Sequence, residues 1–317
     1  MNAARPVAVT GATGFLGRHV VASLARAGAP VRVLARNVPD PQPWPGAAPE
    51  VVPGELADNA ALARLVEGAA AVVHVAGLVR ARDGAAFHSV NRDGTAALSA
   101  AARRLAPEAR FVAVSSLAAR VPGLSDYAAS KAAGEAAARA AYANAPGRLA
   151  ILRPPAIYGP GDRAMLALFR AAGGAVAPVF GSGRIAVVHV ADAAEAIARM
   201  ALGAGEAGCH ALADPNPAGY TMRELLREAA RAMGTAPRLV PLPEGLLLAA
   251  GAAGSLWGRL GPGAPMLTRG KAREMLHRDW SVTEAEHLPY EVHRPRIGIA
   301  EGFRGTVAWY REAGWLR

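Results

Sequence analysis

Three glycines spaced three apart, Gly11, Gly14 and Gly17, follow the apolar run Pro6 to Thr10 and open a helical stretch, Phe15 to Ala27. No other feature narrows the possible folds as far. A strand that passes through glycines straight into a helix brings its backbone close to its neighbours. It also leaves unpaired N–H groups at the positive end of the helix dipole. A β-carbon at these points would obstruct a pyrophosphate or hold the helix away from a sheet. Lying between strand and helix at the start of the chain, the triplet reads as a dinucleotide-binding turn, with Thr13, Phe15 and Leu16 between its glycines.

The segments that follow extend this reading. Val31–Ala35, Val51–Val52, Ala71–Val75, Phe111–Val114 and Leu149–Leu152 are β-rich runs, separated by helical stretches at Asn59–Glu67, Gly84–Leu105 and Ser125–Tyr142. Pro39–Pro49 is proline-rich and reads as a loop. The continuously apolar Ala71–Val75 suggests a strand buried on both faces. Such alternation predicts an α/β fold, a doubly wound parallel Rossmann sheet that binds ligands beyond the carboxyl ends of its strands. Past Pro154 the pattern loosens and helices are expected at Ala164–Ala172, Asp192–Leu202, Met222–Met233, Gly270–Leu276 and Ile299–Ala313. The last carries Phe303, Val307 and Tyr310 on one face. The expected division is a dinucleotide-binding domain over 1–155 and a smaller C-terminal substrate lobe over 156–317, some of whose segments return to the main domain.

Four further places bear on a dinucleotide. An acid at the end of the second strand would bind a ribose 2′-hydroxyl; Arg36 stands there instead and could pair with a 2′-phosphate, which favours NADP over NAD. Glu55 and Leu56 follow the third strand, where an adenine would rest. Val75, Ala76 and Gly77 close the fourth with small residues that would let a cofactor lie across the sheet. His74 before them reads as a structural histidine.

Tyr127 and Lys131, four residues apart on a helix, share one face. A phenol has an ordinary pKa of about 10, and a fixed positive charge nearby favours its phenolate. An acid–base catalyst works best when its pKa approaches the operating pH. Ser116, ending the fifth strand, would orient a substrate oxygen, with Ser115 in reserve. The alternative is an ordinary pair on an amphipathic helix. Lys131, however, is one of only two lysines in a chain that otherwise uses arginine, and arginine would serve any surface role.

Composition sets limits around this core. The 317 residues include 52% hydrophobic and only 5% aromatic residues, enough for a core built from Ala, Val and Leu. The net charge of +10 is open to two readings: coding bias towards Arg, Ala, Gly and Pro, or attraction of anionic ligands. No basic run interleaves with aromatics, so nucleic acid is not an expected partner. Cys209 is the single cysteine, which excludes an intrachain disulfide and a thiolate metal cluster; no metal is expected. Met1–Pro6 lacks the apolar stretch of a secretory signal. The longest apolar run, Leu246–Leu256, falls short of the roughly 20 residues that span a bilayer. The expectation is a soluble cytoplasmic protein with no integral membrane segment. The apolar run is left as a core helix or a membrane-associating one.

Together these motifs resemble the short-chain dehydrogenase/reductase superfamily, in its extended, epimerase/dehydratase-like branch, over nearly the whole chain. Thr10–Gly17 is similar to the branch's TGxxGxxG turn, Tyr127–Lys131 to its YxxxK pair and Ser116 to its catalytic serine. Leu152–Gly161 resembles the segment after the sixth strand, which implies that Pro154 and Ile157 pack against a nicotinamide. Val188–Asp192 resembles a later helix start, and Asn91 stands where a structural asparagine is usual. The resemblance implies that Tyr127 exchanges a proton with the substrate oxygen, that Ser116 hydrogen-bonds it, and that Lys131 holds the nicotinamide ribose. It also leaves a homodimer open.

Two departures weigh on the activity. The segment between serine and tyrosine is short, with Arg120-Val121-Pro122-Gly123 where sugar-nucleotide epimerases carry Val-Tyr-Gly, and the acid after the second strand is missing. Both favour hydride transfer between a nicotinamide and a secondary alcohol or ketone on a less polar small-molecule substrate. Epimerisation or dehydration of a nucleotide sugar with retained NAD is the second reading, and a non-catalytic dinucleotide-binding scaffold the third.

Overall fold

The computed structural model describes residues 4–38, 42–260, 265 and 267–316. Residues 39–41 of the expected proline-rich loop lie outside the described residues. In chain order the elements are β1 (Val7–Thr10), α1 (Phe15–Arg26), β2 (Val31–Ala35), β3 (Glu50–Pro53), α2 (Asn59–Val66), β4 (Ala71–His74), α3 (Gly84–His88), α4 (Gly94–Leu105), β5 (Arg110–Val114), α5 (Asp126–Ala141) and β6 (Leu149–Arg153). There follow β7 (Ala156–Tyr158), α6 (Leu166–Ala172), β8 (Val176–Val179), β9 (Arg184–Ile185), β10 (Val187–His189), α7 (Val190–Ala201) and β11 (Gly208–Ala211). The chain ends with β12 (Tyr220–Thr221), α8 (Met222–Met233), β13 (Arg238–Pro241), α9 (Glu244–Leu260), α10 (Arg269–Leu276), β14 (Asp279–Trp280) and α11 (Ile299–Glu312).

Seven strands form one sheet in the order β11-β6-β5-β4-β1-β2-β3. The pairs from β3 to β6 are all parallel. The fold is therefore the expected doubly wound α/β sheet. The chain works outward from β1 through β2 to β3, then returns to place β4 on the other side of β1. This reversal opens a crevice at the carboxyl ends of β1 and β4, where Thr10 lies opposite His74. All four residues of β1 and of β4 are buried, as strands covered on both faces require. Under the sheet, Leu62, Leu65, Leu98, Phe111, Tyr142 and Ile151 belong to one apolar cluster.

The single helix expected over Gly84–Leu105 is interrupted. A π turn at Ser89–Asp93 separates α3 from α4. Its wider loop of backbone turns Asn91 inward to 2% exposure, where its amide finds partners on two other segments. Those bonds offset the loss of regular helical spacing, and π turns gather at such functional positions.

The chain divides into two compact units, one of residues 1–153, 194–210 and 288–294, the other of 154–193, 211–287 and 295–317. The second unit has its own core, in which Tyr158 meets Phe303 at 5.0 Å and Phe169 meets Phe303 at 4.9 Å between ring centres. Phe303, Val307 and Tyr310 of α11 are all buried there, each at 1% exposure or less. The strands of this unit were not visible in the sequence. They are two to four residues long, too short for alternation to register. The apolar run Leu246–Leu256 does form a helix, α9, but it is not a core helix. Leu247 is buried, whereas Leu246, Leu256 and Trp257 are 55%, 58% and 69% exposed.

Candidate active site

The glycine turn shows what each glycine is for. Gly11 has φ +72°, and a β-carbon on it would lie 2.6 Å from the Ala76 nitrogen. It lets the turn touch the end of β4. Gly17 lets α1 close onto the turn itself, since its β-carbon would come within 2.0 Å of the Gly11 carbonyl oxygen. Gly14 caps α1 with no side-chain hydrogen bond, and no acid occupies the first turn. The N-terminal N–H groups of α1 are thus left facing an exposed Thr13 and Gly14, with Phe15 and Leu16 half-buried behind them. Trp44 roofs this turn: it is 2% exposed and its Nε1 donates to the Ala12 carbonyl at 2.8 Å.

A run of hydrogen bonds joins the turn to the helix that carries Tyr127. The Thr95 hydroxyl donates to the Asn91 carbonyl at 2.7 Å, so its oxygen accepts from His74 Nε2 at 2.9 Å. The Nε2–H tautomer follows, and Nδ1 of the ring accepts from the Thr10 hydroxyl at 2.7 Å. Burial, with the Lys131 charge adding to it, pushes His74 down to about 3, so the ring is neutral. Asn91 then clamps Leu78, accepting from its N–H at 2.8 Å and donating to its carbonyl at 3.0 Å. Its amide also donates to Ser130 Oγ at 2.9 Å, and Ser130 donates to the Tyr127 carbonyl at 2.7 Å.

Helix α5 is fastened to the sheet from below. The Glu135 carboxylate, 3% exposed, accepts two bonds from Arg153 at 2.7 and 2.6 Å. It accepts one from Ser115 at 2.6 Å and one from Arg139 at 3.1 Å. Burial alone would raise this carboxyl; the bonds from Arg153 and Ser115 outweigh it and hold the group below its usual range. Gly134 beside it admits the π turn, since a β-carbon there would lie 2.3 Å from the Asn91 carbonyl oxygen.

One turn before Glu135, the Lys131 ammonium donates to the Val114 carbonyl at 2.7 Å. Burial pushes it down to about 8, against a smaller upward pull from Glu135. A β-carbon on Gly77 would lie 3.7 Å from Lys131 Nζ, so the ammonium lies beside the backbone that follows β4. Tyr127 is half-buried one turn earlier on α5, its ring centre 5.9 Å from that of Phe87. Ser116 is half-buried at the end of β5, and its Oγ accepts from the Ala118 N–H at 3.2 Å, leaving its hydroxyl hydrogen to donate. Ser115 is committed to Glu135 and is not an equivalent choice.

The remaining expected residues fall around this crevice or apart from it. Arg36 is exposed directly beyond β2. Glu55 is exposed, while Leu56 turns onto the start of α4, where a β-carbon on Gly94 would come within 2.7 Å of its Cδ1. Val75 and Ala76 are half-buried and Gly77 is exposed. Pro154 and Ile157 belong to the second unit, in which Ile157 of β7 pairs with Val188 of β10.

Residues 7–209 match the model of the NAD-dependent epimerase/dehydratase family. The chain belongs to that family. It is an NAD(P)-dependent enzyme of the dehydrogenase, reductase or epimerase kind, built on a Rossmann-type sheet. Among curated proteins it is 48% identical over 315 residues to the ceramide reductase of Caulobacter vibrioides, covering 98% of this chain and 96% of that one. Among solved structures it shares the fold of a dTDP-glucose 4,6-dehydratase from Streptomyces venezuelae with NAD and TYD bound. There the TM-score is 0.73 and identity 24%, over 98% of this chain and 99% of the other. The Thermus thermophilus UDP-glucose 4-epimerase in complex with NAD has a TM-score of 0.68 and identity of 24%, over 97% and 99%.

Within this family member, sequence reasoning missed two supports of the site. Glu135 stands four residues after Lys131 on the same helix, a spacing that marks a shared face. Trp44 was passed over as part of a proline-rich loop, although a large ring there was itself a sign of something to cover. No helix of the described residues is long and apolar enough to cross a membrane.

Proposed function

We propose that the enzyme reduces the keto group of a long-chain, ceramide-like amide to a secondary alcohol, with NADP(H) entering and leaving. The observation that carries this is the Lys131 ammonium, held to the Val114 carbonyl beside Gly77, one helical turn from Tyr127. The substrate class rests on the ceramide reductase relative and on the absence of an acid after β2.

The residues present suit a dinucleotide. Gly11, Thr13, Gly14, Phe15, Leu16 and Gly17 would receive the pyrophosphate on the open N–H groups of α1. Arg36 would pair with a 2′-phosphate, which selects NADP. Glu55 and Leu56 would border the adenine, and Val75, Ala76 and Gly77 the path across the sheet. Pro154 and Ile157 would border the nicotinamide, and Lys131 would bond its ribose hydroxyls. Held there, a reduced nicotinamide would supply the hydride that a carbonyl carbon accepts. Ser116 donates a hydrogen bond to the carbonyl oxygen, and Tyr127 gives that oxygen its proton. The ammonium of Lys131 stabilises the negative charge left on Tyr127 until solvent returns a proton.

Replacing Tyr127 by Phe tests the proposal. Turnover of a keto-ceramide, followed by NADPH absorbance, should fall by about 10²–10⁴-fold while NADPH affinity stays within a few-fold. Unchanged turnover would remove Tyr127 from the chemistry. In the same assay Arg36→Asp should weaken NADPH more than NADH; equal weakening rejects the 2′-phosphate contact. NAD released in stoichiometric amount on denaturing the purified enzyme would instead favour epimerisation or dehydration.

A further inference from the structure

Helix α9 is built inside out. At about 100° per residue, Leu247, Gly251, Gly254, Ser255 and Gly258 fall on one side, and that side is buried or half-buried. Three of the five are glycines. They let residues 265 and 267–272 press against the helix: a β-carbon on Gly254 would lie 2.0 Å from the Leu267 carbonyl oxygen, and one on Gly251 2.9 Å from Ala272 Cβ. The one polar side chain of this stretch, Ser255, is used inward, accepting from the Arg269 N–H at 2.9 Å. The large apolar side chains point the other way. Leu246, Leu248, Leu256 and Trp257 are 55%, 37%, 58% and 69% exposed, with exposed Ala249 and Ala253 between them. From Gly245 to Gly258 there is no charged side chain. More than half of the helix circumference is therefore an uninterrupted apolar surface, which a water-facing helix does not carry.

The neighbouring helix supplies charge. Arg269, Lys271 and Arg273 of α10 are exposed. The acid of that helix, Glu274, is 6% exposed and faces inward to bind Lys271 at 2.9 Å. We propose that α9 is a membrane-docking face that lies in the surface of an anionic phospholipid bilayer, its Leu and Trp side chains among the acyl chains and the α10 cations against the headgroups. The charge decides the occupant. A second copy of the chain would bring its own cations against these, whereas an anionic bilayer neutralises them. An apolar helix face that ends in an exposed tryptophan, with arginine and lysine exposed on the helix packed behind it, matches the composition of interfacial helices. This inference stands without the proposed reduction, because docking requires neither Tyr127 nor a dinucleotide.

Co-sedimentation of the full chain with vesicles tests it. The wild-type protein should bind vesicles of phosphatidylglycerol and phosphatidylcholine more strongly than phosphatidylcholine alone. Leu256→Glu with Trp257→Glu should lower the partition coefficient about tenfold or more, at an unchanged melting temperature. Arg269→Glu with Arg273→Glu should weaken binding to the anionic vesicles and leave binding to neutral ones little altered. Should the first pair unfold the protein, Leu246→Gln with Leu248→Gln makes the same test. Equal partitioning of wild type and apolar-face variants would overturn the proposal. So would a wild-type dimer that ignores vesicles and is split by the same substitutions, which would make the face a contact between copies.

Discussion

Helices α5 and α9 are both built largely from small residues, yet they use them in opposite ways. On α5 Ser130 and Glu135 are buried and bonded: Ser130 to Asn91 and Tyr127, Glu135 to Ser115, Arg139 and Arg153. Its small residues are spacers that let Asn91 and the sheet approach. On α9 the glycines also admit a neighbour, but the helix gives the protein little else, and its bulk is turned outward. One helix is held by a network of directional side-chain bonds; the other is held mainly by close backbone contact, with the single bond from the Arg269 N–H to Ser255. Where the proposed chemistry needs position, this chain builds a buried polar lattice, and where the proposed docking needs only adhesion, it exposes apolar side chains.

The contrast can be broken or sharpened by substitution. The largest effect is expected at Glu135. Replacing it by Ala leaves Arg153 without its carboxylate and should cost about 3–5 kcal/mol, read as a lower urea midpoint with unchanged slope. Turnover should fall further than stability alone explains, because α5 loses its fastening below Lys131. A loss under about 1 kcal/mol would mean that apolar packing, not this carboxylate, anchors the helix.

A smaller effect is expected from pH. Lys131 is held at about 8, below its value in water, so its charge disappears as pH rises through that point. Reduction should slow above pH 8, with the limb absent from Lys131→Met, whose residual rate should be low and flat. A profile for the wild type that stays level to pH 10 would show that the ammonium does not assist Tyr127. The smallest effect is expected on α9. Leu256→Gln should move the unfolding free energy by no more than about 0.5 kcal/mol, since most of that side chain is already exposed. A cost near that of a core truncation would show that the face is packed.

The first unit was legible because its signals are local and repeated. Strand and helix periods alternate from Val7 to Leu152, and the glycine triplet, Ser116, Tyr127 and Lys131 sit at ends of elements that the pattern locates. What escaped was non-local. Glu135 matters through Arg153 of β6, eighteen residues on, and Trp44 through a carbonyl thirty-two residues back. The π turn at Ser89–Asp93 leaves no mark in a helical pattern, because one additional residue in a turn shifts the phase without removing an apolar position. In the second unit the strands are shorter than the alternation that would reveal them. The apolar run of α9 is open to both a core and a surface reading in the sequence, because hydrophobicity alone does not say which way a residue points.

The scarcity of lysine has a practical corollary. With Lys131 and Lys271 the only side-chain amines in the sequence, an acylating reagent sees two unlike targets. Lys271 is tied to Glu274 on a solvent-facing helix, whereas burial pushes the Lys131 ammonium down to about 8, so more of it is free amine in mild alkali than of an ordinary lysine. On the proposed reading, labelling of Lys131, resolved by peptide mapping, should fall when NADPH is added, a test that needs no substrate and no turnover.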